Sequence, residues 1–136
     1  MFILHHPDEH VHVFLINPPQ DADVNCLVTY TATGLHGEER PENTHHTLTT
    51  NAPDQVIIPG PRREYNESVR VEAMCFFNLG QQAVTLRLFF HGIPNRSFPN
   101  GETTGMQPVL ERTIPKRPSL LWERGQGWYV VGDAPV

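Results

Sequence analysis

Histidine is the residue type whose number and spacing most invite chemistry in this chain. Eight occur in 136 residues, and six of them fall in close pairs: His5-His6, His10-Val11-His12 and His45-His46. Imidazole titrates near neutral pH and binds metal ions through either ring nitrogen. Side chains two apart on a strand share a face, so His10 and His12 have the spacing to chelate one ion. Two ligands do not make a site, and the surrounding sequence must supply the rest.

The rest is not found. A cupin metal site, which opens with such a pair, continues with a Glu a few residues on and a further His after a Pro-x-Gly turn. Residues 13–20 contain no Glu, and Ile58-Pro59-Gly60-Pro61 leads to no histidine at the required spacing. The histidines are therefore expected to be solvated strand residues or to lie at a subunit contact, with a small cupin-like metal-binding protein as one alternative. No metal and no cofactor is expected.

Other chemistries fare no better. There is no Gly-x-Ser-x-Gly elbow for a nucleophile. Cys75 alternates with apolar residues, in an environment that disfavours a thiolate. The carboxylates of Asp8, Glu9, Asp21, Asp23, Glu38, Glu39 and Glu42 fall mostly in loops, where solvation is their ordinary fate. Gly125-Gln126-Gly127 sits in a turn between strands, not before a helix, so it cradles no phosphate. The net charge of −5 argues against a nucleic-acid partner. The basic pairs Arg62-Arg63 and Lys116-Arg117 each follow a proline and read as solvated turns. No catalytic residue is assigned and no enzyme activity is expected. Trp122, Trp128 and Tyr129 can seal one end of a core; as an exposed platform they would stack on a sugar, which gives the second alternative, a carbohydrate-binding module.

The elements that position these residues are short strands. Thirteen Pro and ten Gly punctuate the chain throughout, and no segment has a capped amphipathic helical pattern. Residues 10–16 alternate and stop at Asn17-Pro18-Pro19. Residues 25–33 place Cys26, Val28 and Tyr30 on one face and Leu27, Thr29 and Thr31 on the other. Residues 36–42 are too charged for a core, and 44–50 suit an exposed edge because Leu48 is their one strongly apolar residue. Residues 55–58 form a short apolar strand. The largest apolar block is 68–92, read as a hairpin: Val69, Val71, Ala73, Cys75 and Phe77 on one face, then Asn78-Leu79-Gly80 turning into Val84, Leu86, Leu88 and Phe90. A long loop at 93–107, a strand at 109–114 and a closing hairpin that sets Trp122 opposite Trp128 complete the chain.

This pattern predicts an all-β fold: a single antiparallel β-sandwich over residues 1–136, jelly-roll or Ig-like, with eight or nine short strands and little or no helix. Residues 1–9 and 132–136 are candidate arms. The opening MFILHHPDEH lacks a basic n-region and an adequate apolar core, so no signal peptide is expected and Cys26 and Cys75 are expected to be reduced. Asn66-Glu67-Ser68 and Asn95-Arg96-Ser97 match the glycosylation pattern by chance on this reading. No apolar run approaches the roughly 20 residues of a membrane span.

The run Val69 to Leu88, VRVEAMCFFNLGQQAVTLRL, resembles a pattern in small β-sandwich proteins of tailed bacteriophage particles. In these a strand ending in an aromatic residue or cysteine and Asn leads through a short Gly turn to a Val-Thr-Leu strand. The closing SLLWERGQGWYVV is also similar to their last hairpin, which carries a Gly-Trp pair. The resemblance implies a non-enzymatic virion structural protein of the decoration, neck or tail-accessory type. Such a protein is assembled in the host cytoplasm and makes repeated contacts with itself, in a symmetric oligomer, and with capsid, portal or tail proteins. It implies no functional residues.

Overall fold

The computed structural model describes residues 3–7, 9–62, 64, 66–91, 110–116 and 119–131. Among the described residues there are ten strands: β1 (Ile3–Leu4), β2 (His10–Ile16), β3 (Asp23–Thr33), β4 (Glu39–Thr49), β5 (Asp54–Ile58), β6 (Ser68–Asn78), β7 (Val84–His91), β8 (Leu110–Ile114), β9 (Ser119–Glu123) and β10 (Gly127–Val131). They form two antiparallel sheets. The larger runs β10-β9-β6-β3-β4, with β1 beside the start of β6; the smaller runs β5-β2-β7-β8. No α-helix occurs among the described residues. The fold is the all-β sandwich that the alternation predicts.

The inner faces meet in one apolar cluster. The larger sheet contributes Val24, Cys26, Val28, Val71, Met74, Phe76 and Leu120; the smaller contributes Val11, Val13, Ile57, Leu86 and Leu88. Each CH₂ removed from water in such a core stabilises it by about 0.8 kcal/mol. Within the candidate arm at residues 1–9, Ile3 and Leu4 pair with Arg70 and Val69, and Leu4 is fully buried in this core. The glycine before Pro61 lets this N-terminal stretch lie close: a Cβ on Gly60 would stand 2.1 Å from the carbonyl oxygen of Pro7. The predicted loop at 93–107 and the arm at 132–136 lie outside the described residues.

Two expectations for residues 68–92 are corrected. First, β6 and β7 are not a hairpin. β6 pairs with β3 and β9 in one sheet, and β7 pairs with β2 and β8 in the other. The connection at 79–83 is an arch that crosses the core. A lone two-stranded ribbon is marginal, whereas here each strand gains a ladder on both sides. Asn78 fastens the arch. Its Nδ2 donates to the carbonyls of Gln82 at 2.9 Å and Ile114 at 3.0 Å, and its Oδ1 accepts from the amide of Gly80 at 3.0 Å. A buried amide satisfied on both ends ties the last residue of β6 to the end of β8 in the facing sheet.

Second, β6 does not keep one face inward. Tyr30 pairs with Val71 and Thr29 with Ala73, which leaves Glu72 as the extra residue of a β-bulge. Val69 and Val71 point into the core before the bulge; Met74, Phe76 and Asn78 do so after it. Ala73, Cys75 and Phe77, expected inside with Val69 and Val71, are turned to the outer face. A one-residue slip moves every later side chain to the other side of the sheet.

Candidate interaction surface

His10 and His12 lie on the outer face of β2, as the period of two requires. Their ring centroids are 6.4 Å apart. His12 stacks on Phe14 at 4.3 Å, and Phe14 meets Phe89 edge-on at 5.3 Å. Its Nε2 stands 3.6 Å from Asp54 Oδ1 on β5. Burial lowers the pKa of His12 from the ordinary value of 6.5, Asp54 opposes that shift, and nearby His10 adds to it. No group of three or more His, Cys, Asp or Glu residues gathers to hold a metal among the described residues. His45 and His46 are neighbours on β4 and therefore face opposite sides.

The predicted tryptophan pair is formed: Trp122 and Trp128 are cross-strand partners in β9 and β10. Trp122 is 5% exposed and part of the core, and Trp128 stacks on Phe76 with centroids 6.3 Å apart. Both rings thus spend their faces on the core, and Tyr129, on the other side of the sheet, bonds through its hydroxyl to Glu123. Cys26 and Cys75 are free thiols. Burial raises both, Cys75 to about 11, so neither is a thiolate at neutral pH.

One concave feature is a pocket of about 120 Å³ bordered by Ala32, Gly34, Glu38, Arg40, Arg62 and Glu67. The charges of Arg40, Arg62 and Glu67 are spent on each other. Glu67, nearly buried, accepts from Arg40 at 2.9 Å and from Arg62 at 2.8 Å, while Arg40 also bonds Glu42. The Glu42 hydrogen bond is the largest of several influences that raise the pKa of Arg40. This is a clamp that holds β4 to the loop before β6, in a space far smaller than the several hundred Å³ of a ligand pocket.

The outer face of the larger sheet is different in kind. Register partners on adjacent strands share a face, so His45, Leu27, Cys75, Leu121 and Tyr129 form one row across β4, β3, β6, β9 and β10. The next row is Thr47, Asn25, Phe77, Ser119 and Val131 by the same registers. Toward β4 the face is polar and internally bonded: Thr29 donates to Asn43 at 2.8 Å and Thr47 to Asn25 at 3.2 Å. Across its middle, from Leu27 on β3 to Val131 on β10, it carries an exposed apolar band, with Leu27 46% and Val131 48% exposed and Cys75, Phe77 and Leu121 partly so. A contiguous exposed apolar patch of this sort marks a contact surface more often than scattered single residues do.

Sequence reasoning missed this surface because it assigned Cys75 and Phe77 to the core. The signal that finds it is the phase break at Glu72: Val69 and Val71 continue as Met74 and Phe76 only if one residue is skipped, and the unbroken run 73–77 supplies apolar residues to both faces. No protein-family model, no curated protein and no solved structure matches the chain.

Proposed function

We propose that this domain is a non-enzymatic structural subunit that works through repeated protein–protein contacts in a symmetric assembly. In the setting that the sequence resemblance implies, it is a virion component of a tailed bacteriophage, in the capsid, neck or tail. The observation that carries the proposal is the exposed apolar band on the larger sheet's outer face, from Leu27 across Cys75 and Phe77 to Val131. An isolated subunit pays for that exposure in solvent, and an assembly removes it. The surface spans more than two strands, which suits another protein better than a small ligand.

Mass spectrometry of particles purified from the host that carries the gene tests the reading. The protein is expected in a fixed ratio to the major capsid protein. Its absence from intact particles, with the protein present in the same cells, overturns the virion assignment.

A further inference from the structure

Among the described residues five strands pair on one side only; β1 has just two residues, and three of the other four carry features that discourage pairing with another chain. β4 has Pro41 in mid-strand, flanked by Glu39, Arg40 and Glu42. β5 is five residues long, starts with Asp54, and is bulged where Val11 pairs with Ile58 and His12 with Val56, which skips Ile57. β8 carries Glu111 and Arg112. β10 is Gly-Trp-Tyr-Val-Val: no charge, no proline, and no register shift against β9. Its Val130 is 64% exposed and its Val131 48%. Among the described residues nothing pairs with its outer side.

We propose that β10 is a homotypic seam, on which the β10 of a second copy pairs antiparallel to make one continuous sheet through both subunits. This rests on the assembly reading above and names its contact. An antiparallel pair of identical five-residue strands has one register in which every residue is matched, and its two-fold axis passes through Tyr129. That register sets Trp128 opposite the second copy's Val130 on one face. On the other it sets Val131 opposite the second copy's Gly127, where the absent side chain leaves room for the valine. The bands Leu27, Cys75, Leu121 and Tyr129 of the two copies then join end to end across the axis.

The self-matching register of β10 selects a second copy as the occupant, and charge does not oppose it at the seam. The chain carries −5, so most faces of one copy repel another. Among the described residues the charges beside the seam, Glu123 and Arg124, are already engaged by Tyr129 and Glu72. A five-residue edge falls well short of the roughly 1,200–2,000 Å² of a stable interface. The dimer is therefore weak and concentration-dependent in isolation, and gains strength where many copies are held together.

The test uses the full chain at concentrations up to about 1 mM, the weak end of measurable association. Wild type is expected to dimerise in sedimentation velocity. Val130→Lys, a change at an exposed site, is expected to weaken the dimer at least tenfold with an unchanged melting temperature. Tyr129→Cys places two thiols at the two-fold axis and is expected to form a disulfide-linked dimer under mild oxidation. Leu79→Cys, more accessible than position 129 but on the arch, is not. Native Cys75 lies two strands from position 129, about 10 Å away and too far to bridge within one subunit. A monomer at every concentration, equal cross-linking of the two cysteine variants, or a dimer indifferent to Val130→Lys each overturns the seam. An oligomer that survives Val130→Lys places the contact elsewhere and leaves the assembly reading intact; absence from particles removes the virion reading whatever the seam does.

Discussion

The two edges of the larger sheet solve the same problem in opposite ways. Among the described residues, both β4 and β10 present a row of backbone groups with no neighbour on one side. β4 is eleven residues long, and a free edge of that length invites uncontrolled pairing. It is guarded by Pro41, which has no N–H to offer, by charged residues, and by the Arg40–Glu67–Arg62 clamp that pins its start to the loop before β6. β10 is less than half as long and carries none of these devices. Instead, the apolar band of the outer face leads up to it. One edge is closed and the other open within the same sheet, and an open edge beside an apolar band reads as a place for a partner.

The largest perturbation of this contrast is at the foundation of the open edge. Trp122→Ala removes a buried indole from β9, whose register partner on β6 is Met74 and on β10 is Trp128. A loss of about 3–5 kcal/mol is expected for such a truncation, measured as a lowered urea midpoint, together with loss of self-association. A Trp122→Ala variant as stable as wild type would mean that β9 is not part of the cooperative core.

The closed edge is tested next. Glu67→Gln leaves the shape of the clamp and removes its charge. The arginines are partly solvated and keep water as a partner, so the cost is expected to be about 1–2 kcal/mol. Limited proteolysis should then cut first within β4 or the loop before β6; cutting first elsewhere would count against the clamp. A gentler probe is Pro41→Thr, which returns an N–H to the free edge. Stability should change by no more than about 0.5 kcal/mol. The two open edges should now join head to tail, so that oligomers larger than a dimer appear in sedimentation at high concentration. A strictly dimeric Pro41→Thr protein would show that proline is not what closes β4.

The smallest effect concerns β5, an edge of the other sheet. The pKa of His12 is depressed in the folded protein, mainly by burial. The unfolded chain therefore binds a proton more readily than the folded one, and folding stability rises with pH across the window below 6.5. The contribution is complete above the unfolded value and is lost as pH falls through the folded one. Thermal melts at about pH 7 and about pH 5 bracket the ordinary histidine range. They should show a steeper loss for wild type than for His12→Gln; equal slopes would mean that burial does not perturb His12.

Much of the fold was legible in the residues. β2 runs over the very residues, 10–16, that alternation picks out, and the closing hairpin pairs Trp122 with Trp128 as its turn residues require. β4 reads as an edge because Leu48 is its one buried residue, although the strand starts five residues earlier than expected, in the charged stretch. An exposed edge tolerates Glu39, Arg40, Pro41 and Glu42, so charge there was no argument against a strand. The candidate surface was not legible. It depends on which face Cys75 and Phe77 occupy, and the bulge at Glu72 reverses that face without changing any local propensity.

The sequence by itself determined that the chain makes short strands, where most of them lie, and that two apolar layers must close on each other. Those outcomes follow from local periodicity and from proline and glycine. Only the tertiary structure decided that residues 68–91 arch between sheets instead of folding back as a hairpin, that the bulge at Glu72 turns Cys75 and Phe77 outward, and that β10 lies at an edge among the described residues. Each of these is a choice among pairings with the same local pattern, and it is settled by the partners a strand finds: β3 and β9 for β6, β2 and β8 for β7.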